Sequence, residues 1–373
     1  MIPKTTTRGL SGKKVLFGLP LAAALLATPL LAPYATAAPV QTAAASSGPA
    51  ALAGGTISTE RQTATSSYWT AERMKGAKPA MPVVKKTAAT ASVAPNSSYS
   101  GTPVTVSPTT GKRAPVTATS PDVSLAIHSR AYAYPAPFTR HETFPASSYK
   151  VFPNRTVGKL FFSDGVGNNF VCSASVVNSE NKDIVWTAGH CLSNGAGTFY
   201  RNWAFVPARR LGANPLGVWT PREFWTLSEW HSFGNLRQDV GALLMNDNAN
   251  GTSIANSIGA LGIQFNAPRL RHWTAMGYPA ASPFSGERQY QNHGSYAASD
   301  TPSSRPGPDT LAMGNDLTGG SSGGPWIVGH GPGGGWVNGV NSYKYISPSM
   351  PLEMYSPYFG NEALSLFNHV RGR

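Results

Sequence analysis

Cysteines and acidic residues are scarce in this 373-residue chain. Cysteine occurs twice, at Cys172 and Cys191, and 17 Asp and Glu stand against 30 Lys and Arg. Two cysteines exclude a disulfide-dense mini-scaffold, and with one neighbouring histidine they are too few to close a structural zinc site. Neither a metal nor an organic cofactor is therefore expected. Charged residues make up only 13% of the chain. The basic surplus is uneven, because residues 1–145 hold 14 Lys or Arg against 4 Asp or Glu, while residues 146–373 hold 16 against 13. Clustered cations attract phosphates by counterion release, but no basic stripe interleaved with aromatics accompanies this excess, which argues against nucleic acid as a partner. After about residue 32 there is no apolar run long enough to span a bilayer, and no internal repeat.

The N-terminus reads as an export signal over residues 1–38. Lys4, Arg8, Lys13 and Lys14 precede an apolar run from Val15 to about Ala32, followed by the small-residue site Ala35-Thr36-Ala37. The alternative is an uncleaved anchor, for which the run is almost long enough; Pro20 and Pro29 favour a signal. Export makes the product secreted and extracellular, free of the membrane after cleavage; a monomer is expected. It also places Cys172 and Cys191 in an oxidising compartment, where a disulfide is expected.

Residues 39–145 are dominated by Ala, Thr, Ser, Pro and Gly, as in Thr102-Pro103-Val104-Thr105-Val106-Ser107-Pro108. Little in such a composition builds a packed core. Its place between a signal and a foldable region suits a propeptide removed on maturation, with a retained linker as the alternative.

Residues 146–373 have a different texture, short apolar runs broken by Gly, Asn and Pro. Strands are predicted over 158–162, 170–177, 184–188, 240–245, 273–276, 326–328 and 336–340, with tight turns at Asn194-Gly195, Asn250-Gly251 and Asn338-Gly339. Many short strands and few helical periods indicate an all-β sandwich or barrel architecture. One helix is expected at the end, capped by Asn361, with Ala363, Leu364, Phe367 and Val370 on one face.

Three segments carry the chemistry. Val185-Trp186-Thr187-Ala188-Gly189-His190-Cys191 ends a β-rich run in a histidine fixed beside a cysteine, the rigid placement that a general base requires. Gly319-Gly320-Ser321-Ser322-Gly323-Gly324-Pro325 surrounds a serine with glycines, whose backbone N–H groups can converge on a developing negative charge; Gly320 and Ser322 would supply them. Arg237-Gln238-Asp239-Val240 sets an acid at the threshold of an apolar strand, where it could orient the histidine. Asp247, Asp183 and Asp164 compete with Asp239 for that role. The serine loop also satisfies the G-x-S-x-G pattern of α/β hydrolases, with Glu353 and His369 in a permitted order. That elbow requires a helix after the serine, and Pro325-Trp326-Ile327-Val328 reads as a strand.

The order His190, Asp239, Ser322 and the motifs Thr187-Ala188-Gly189-His190-Cys191 and Gly320-Ser321-Ser322-Gly323-Gly324-Pro325 resemble the trypsin-like serine proteases. Thr318-Gly319-Gly320-Ser321-Ser322-Gly323-Gly324-Pro325 and Met276-Gly277-Tyr278-Pro279 are similar to the secreted bacterial branch that includes glutamyl endopeptidases. The resemblance covers about residues 150–370. It implies a pair of six-stranded antiparallel β-barrels with the active site between them, a Cys172–Cys191 disulfide beside the histidine, protein or peptide substrates, and peptide-bond hydrolysis through an acyl-enzyme. It further implies that Ser342 lies on a strand that bonds substrate backbone. Asp316, six residues before Ser322, and Asn341 fall where members of the family line the primary specificity pocket. Asp316 hints at basic side chains, whereas a histidine stands in the Asn341 position of glutamyl-specific members. In the digestive branch an aspartate directly precedes the nucleophile and pairs with a newly made N-terminus; here that position is Ser321. A catalytically inactive binding protein on the same scaffold, or an esterase, are the alternative functions.

Overall fold

A computed structural model describes residues 49–85, 101–111, 136–346 and 352–373. Residues 1–48, and with them the expected signal, lie outside the described residues. The described residues form one compact unit, and among them no helix is long and apolar enough to cross a membrane.

Two mainly antiparallel sheets organise it. The first runs, in spatial order, Pro221–Leu227, Gly241–Met245, Ile184–Thr187, Asn169–Val176, Val157–Ser163 and Arg201–Pro207, the six strands expected of a first barrel. The second runs Glu353–Ser356, Thr310–Gly314, Tyr290–Asp300, His272–Gly277, Pro325–Gly331, Gly334–Val340 and Gly262–Phe265. It has a seventh strand because Gly262–Phe265 joins Gly334–Val340 in parallel. The seven predicted strands all form. The missed ones include Tyr290–Asp300, whose Gln, Asn, His and Ser residues give no apolar alternation to read.

Val157–Ser163 and Gly241–Met245 are buried along their whole length, which is why they read as near-continuous apolar runs rather than alternating ones. Their core includes Trp186, which meets the rings of Phe265, Phe359 and Phe367 edge-on at 5.9 to 6.4 Å. Phe367 comes from the C-terminal helix Asn361–Val370, which buries Ala363, Leu366, Phe367 and Val370. Leu366 replaces the expected Leu364 on that face. Nor is Asn361 the cap: Gly360 holds that position, and the Asn361 Oδ1 accepts from Asn266 Nδ2 at 2.8 Å instead. Turns form at Gly195 and Gly251, both with positive φ, but Asn338-Gly339 lies within the strand Gly334–Val340. There glycine serves packing, since a Cβ on Gly339 would come within 2.7 Å of Ser356 Oγ.

The leader departs most from its composition. Leu52–Thr56 adds antiparallel to Pro221–Leu227, Val104–Val106 to Gly262–Phe265, and Phe138–Glu142 to Tyr290–Asp300. Two short helices, Thr59–Tyr68 and Ala71–Lys75, bring Trp69 and Met74 into a cluster with Phe161 and Val171. A segment too poor in apolar residues to make its own core borrows one, by pairing with free sheet edges and seating a few large side chains against the next domain.

Cys172 and Cys191 form the expected disulfide, tying the strand Asn169–Val176 to the turn Gly189–Cys191. Replacing both cysteines with alanine is expected to lower stability by about 3 kcal/mol, from the loop the bond closes in the unfolded chain; denaturant unfolding of the two proteins measures it.

Candidate active site

The strand Ile184–Thr187 ends in a single 3₁₀ turn, Gly189–Cys191, that turns His190 inward. The Trp230 indole meets the His190 ring edge-on at 6.1 Å. A Cβ at Gly189 would approach Trp230 to 2.6 Å, so the indole can lie this close only over glycine. Asp239 precedes the buried strand Gly241–Met245 and is itself fully buried. Its carboxylate accepts three hydrogen bonds: from His190 N at 2.7 Å, His190 Nδ1 at 2.8 Å and Ser342 Oγ at 2.5 Å. A carboxylate removed from water requires such partners, and with Nδ1 donating, the His190 Nε2 is the nitrogen free to accept a proton.

Two of the competing acids are committed elsewhere. Asp183 pairs with Arg222 at 2.5 Å, and Asp164 accepts from Val166 N and Asn168 N in its own turn. The α/β-hydrolase reading fails on structure, because the strand Pro325–Gly331 follows Ser322.

The serine loop is fixed from both sheets. Ser173 of the first sheet donates its N–H to Ser322 O at 2.6 Å and its hydroxyl to Gly320 O at 2.9 Å, while accepting from Tyr278 N at 2.9 Å. Gly323 N donates to Asn341 O and Asn341 N to Gly324 O. Gly320 has φ +96°, and a Cβ there would meet Ala280 Cβ at 2.7 Å and Tyr278 O at 2.8 Å; both backbone and space demand glycine. Ser321 donates its hydroxyl to Thr318 O at 2.7 Å, a neutral, local bond where an ion pair would otherwise stand. Ser322 Oγ donates to the leader carbonyl Ala80 O at 2.6 Å, and Gly320 N reaches the same oxygen at 3.4 Å. His190 Nε2 is buried without a hydrogen-bond partner among the described residues. The sulfurs of Cys172 and Cys191 lie within 4.8 Å of a ring nitrogen of His190 but offer no thiolate, being joined to each other.

No protein-family model matches the chain, and no curated protein matches it. Solved structures do. The protease Anisep from Arthrobacter nicotinovorans is 37% identical, at a TM-score of 0.54, over 63% of this chain and 100% of its own. The thermostable serine protease AL20 from an extremophilic microorganism is 39% identical, at a TM-score of 0.53, over 61% of this chain and 99% of its own. The chain belongs to the trypsin-like serine proteases. Its all-β fold is the chymotrypsin-like one expected.

Within this serine protease the expected specificity residues separate. Asn341 is buried, and its side-chain amide donates both N–H groups, to Met276 O and Ser321 O, and accepts from Trp326 Nε1. Asp316 pairs with Arg140 at 3.4 Å. Ser342 directs its hydroxyl to Asp239, a contact that the sequence did not suggest. Lys344 was also missed. Its Nζ turns inward to Asn315 O at 2.7 Å and Leu317 O at 3.2 Å, and burial pushes its pKa down to about 8 despite the nearby Asp316 and Glu353. The sequence carried a signal for it, a lysine two residues beyond Ser342 on the same segment.

Burial lowers the Lys344 pKa, so between about pH 8 and pH 10 the unfolded chain holds the proton more tightly than the folded one, and stability rises with pH across that window. Lys159 is shifted in the same direction, also to about 8. Lys344→Met is expected to flatten part of this rise, read from unfolding free energies at about pH 8 and about pH 9.5. A variant profile parallel to that of wild type contradicts the shift.

Proposed function

We propose that the protein is an exported serine endopeptidase that cleaves peptide bonds through an acyl-enzyme, with His190, Asp239 and Ser322 as its triad. The observation that carries this reading is the buried Asp239 carboxylate clamping His190 through both its backbone N–H and its Nδ1, beside a serine in a glycine-walled loop. In the reaction Ser322 Oγ adds to the substrate carbonyl carbon as its proton passes to His190 Nε2. Asp239 keeps the imidazole in the tautomer that accepts there and stabilises the imidazolium. The Gly320 and Ser322 N–H groups hold the oxyanion. The imidazolium then protonates the departing amine, and a water molecule, activated by the same nitrogen, hydrolyses the ester.

On this reading residues 1–38 direct export and the leader over residues 39–145 is removed on maturation. Ser321, satisfied by Thr318 O, supports an activation that does not bury a new N-terminal ammonium. The substrate-facing residues are reassigned in part. Asp316 lies among the cations Arg140 and Lys344, and Lys344 does not leave with the leader, so a basic substrate side chain meets a like charge rather than a free carboxylate. A library varying the residue before the cut bond is expected to show no enrichment of Arg or Lys; their enrichment would return Asp316 to the pocket.

By analogy with other serine proteases, Ser322→Ala is expected to lower turnover about a millionfold and Asp239→Asn about ten-thousandfold, with folding intact. Peptide hydrolysis followed alongside circular dichroism checks both, and normal cleavage by folded Ser322→Ala refutes the assignment. N-terminal sequencing of secreted wild-type and Ser322→Ala protein locates the mature start and shows whether the enzyme processes itself.

A further inference from the structure

The leader crosses the cleft. Lys78–Pro79 pairs with Phe170 and Val171 of the first sheet, and Ala80 N donates to Val171 O at 3.0 Å. Beyond it, Val83–Lys85 pairs with Lys344–Ile346, and Lys344 N reaches Pro82 O at 3.4 Å. Between these two edges the Ala80 carbonyl oxygen sits on the Ser322 hydroxyl and within reach of Gly320 N. Both pairings are parallel.

This contact has the wrong chemistry for cleavage. Attack requires Ser322 Oγ to face a carbonyl carbon while its proton lies on His190 Nε2. Here Oγ spends its proton on the oxygen of Ala80, and Nε2 has no partner among the described residues. The Met81 nitrogen, which would be the leaving group, makes no hydrogen bond to that imidazole nitrogen either. We propose that residues 78–85 form an inhibitory strap: the two strand edges of the cleft are a binding surface for this chain's own leader, which fills the serine site without being cut where it lies. The inference rests on the reading of Ser322 as nucleophile.

Other features favour this occupant. Pro79 and Pro82 restrict the segment before it binds, reducing the ordering cost. Pro79 and Met81 flank Gly319, where a Cβ would come within 3.2 Å of Pro79 Cβ and 3.8 Å of Met81 Cβ. Upstream, Trp69 donates to Asn202 O at 2.5 Å and Tyr68 to Asn169 Oδ1 at 2.7 Å, so the strap is tethered beside its site at a high effective concentration.

The test measures the rate at which a fluorophosphonate probe labels the full-length chain. In Ala80→Pro the N–H bonded to Val171 is lost, and Met81→Asp sets a charge among apolar groups. Both variants are expected to label on the order of 100-fold faster than wild type, the factor by which a 99% closed state masks the site. A synthetic peptide spanning residues 75–86, added to Ala80→Pro, should slow labelling again and be recovered intact by mass spectrometry. Equal labelling rates in wild type and both variants overturn the strap, as does cleavage of the peptide between Ala80 and Met81. If no protein labels above Ser322→Ala, the reading of Ser322 itself fails, and the strap with it.

Discussion

The site depends on one buried carboxylate. Asp239 lies where no water reaches it and takes donors from both halves of the molecule, His190 from the first sheet and Ser342 from the segment that follows the second sheet's strand Gly334–Val340. Removing any donor would leave an acceptor unpaired at low dielectric, which costs far more than one exposed hydrogen bond is worth. The constraint therefore acts in two directions: it sets the tautomer and tilt of His190, and it pins the segment carrying Asn341 to Lys344 against the first sheet. The serine loop meets that segment through Gly323 and Gly324 and the first sheet through Ser173. Histidine and serine thus share a frame although 132 residues of chain separate them.

The same frame explains how the leader can dock. Forming the site leaves two short backbone edges facing the cleft, one at Phe170–Val171 and one at Lys344–Ile346, and an extended strand satisfies both at once. The edges that would accept a substrate's backbone are the ones occupied by the chain's own residues. If the leader acts as the proposed strap, latency and substrate binding draw on one set of hydrogen bonds, and an apolar-poor leader needs no core of its own to compete for them.

What could be read from the sequence followed from how local each determinant is. His190 and Ser322 lie in motifs whose neighbours explain themselves: Gly189 makes room for Trp230, and Gly320 takes a positive φ against Ala280. The fully buried strands announced themselves as apolar runs. Asp239 was legible only from chain order and its place before a strand. Ser173 and Lys344 were not legible as site residues, nor was the bond from Ser342 to Asp239, because each acts on a group more than 25 residues away in sequence. The partners of the Asn341 amide, Met276, Ser321 and Trp326, were not legible either, since they lie 15 to 65 residues away. The leader strands escaped notice because edge pairing uses backbone, which every composition supplies.

The central claim is that Ser322 and His190 act together on one carbonyl carbon. A peptide chloromethyl ketone tests this directly, because its carbonyl accepts the serine oxygen while its chloromethyl carbon alkylates the histidine beside it. After reaction with the mature enzyme, peptide mapping by mass spectrometry should place a single inhibitor on both Ser322 and His190 Nε2. Inhibition without modification of His190, or an adduct on any other histidine, would contradict the account.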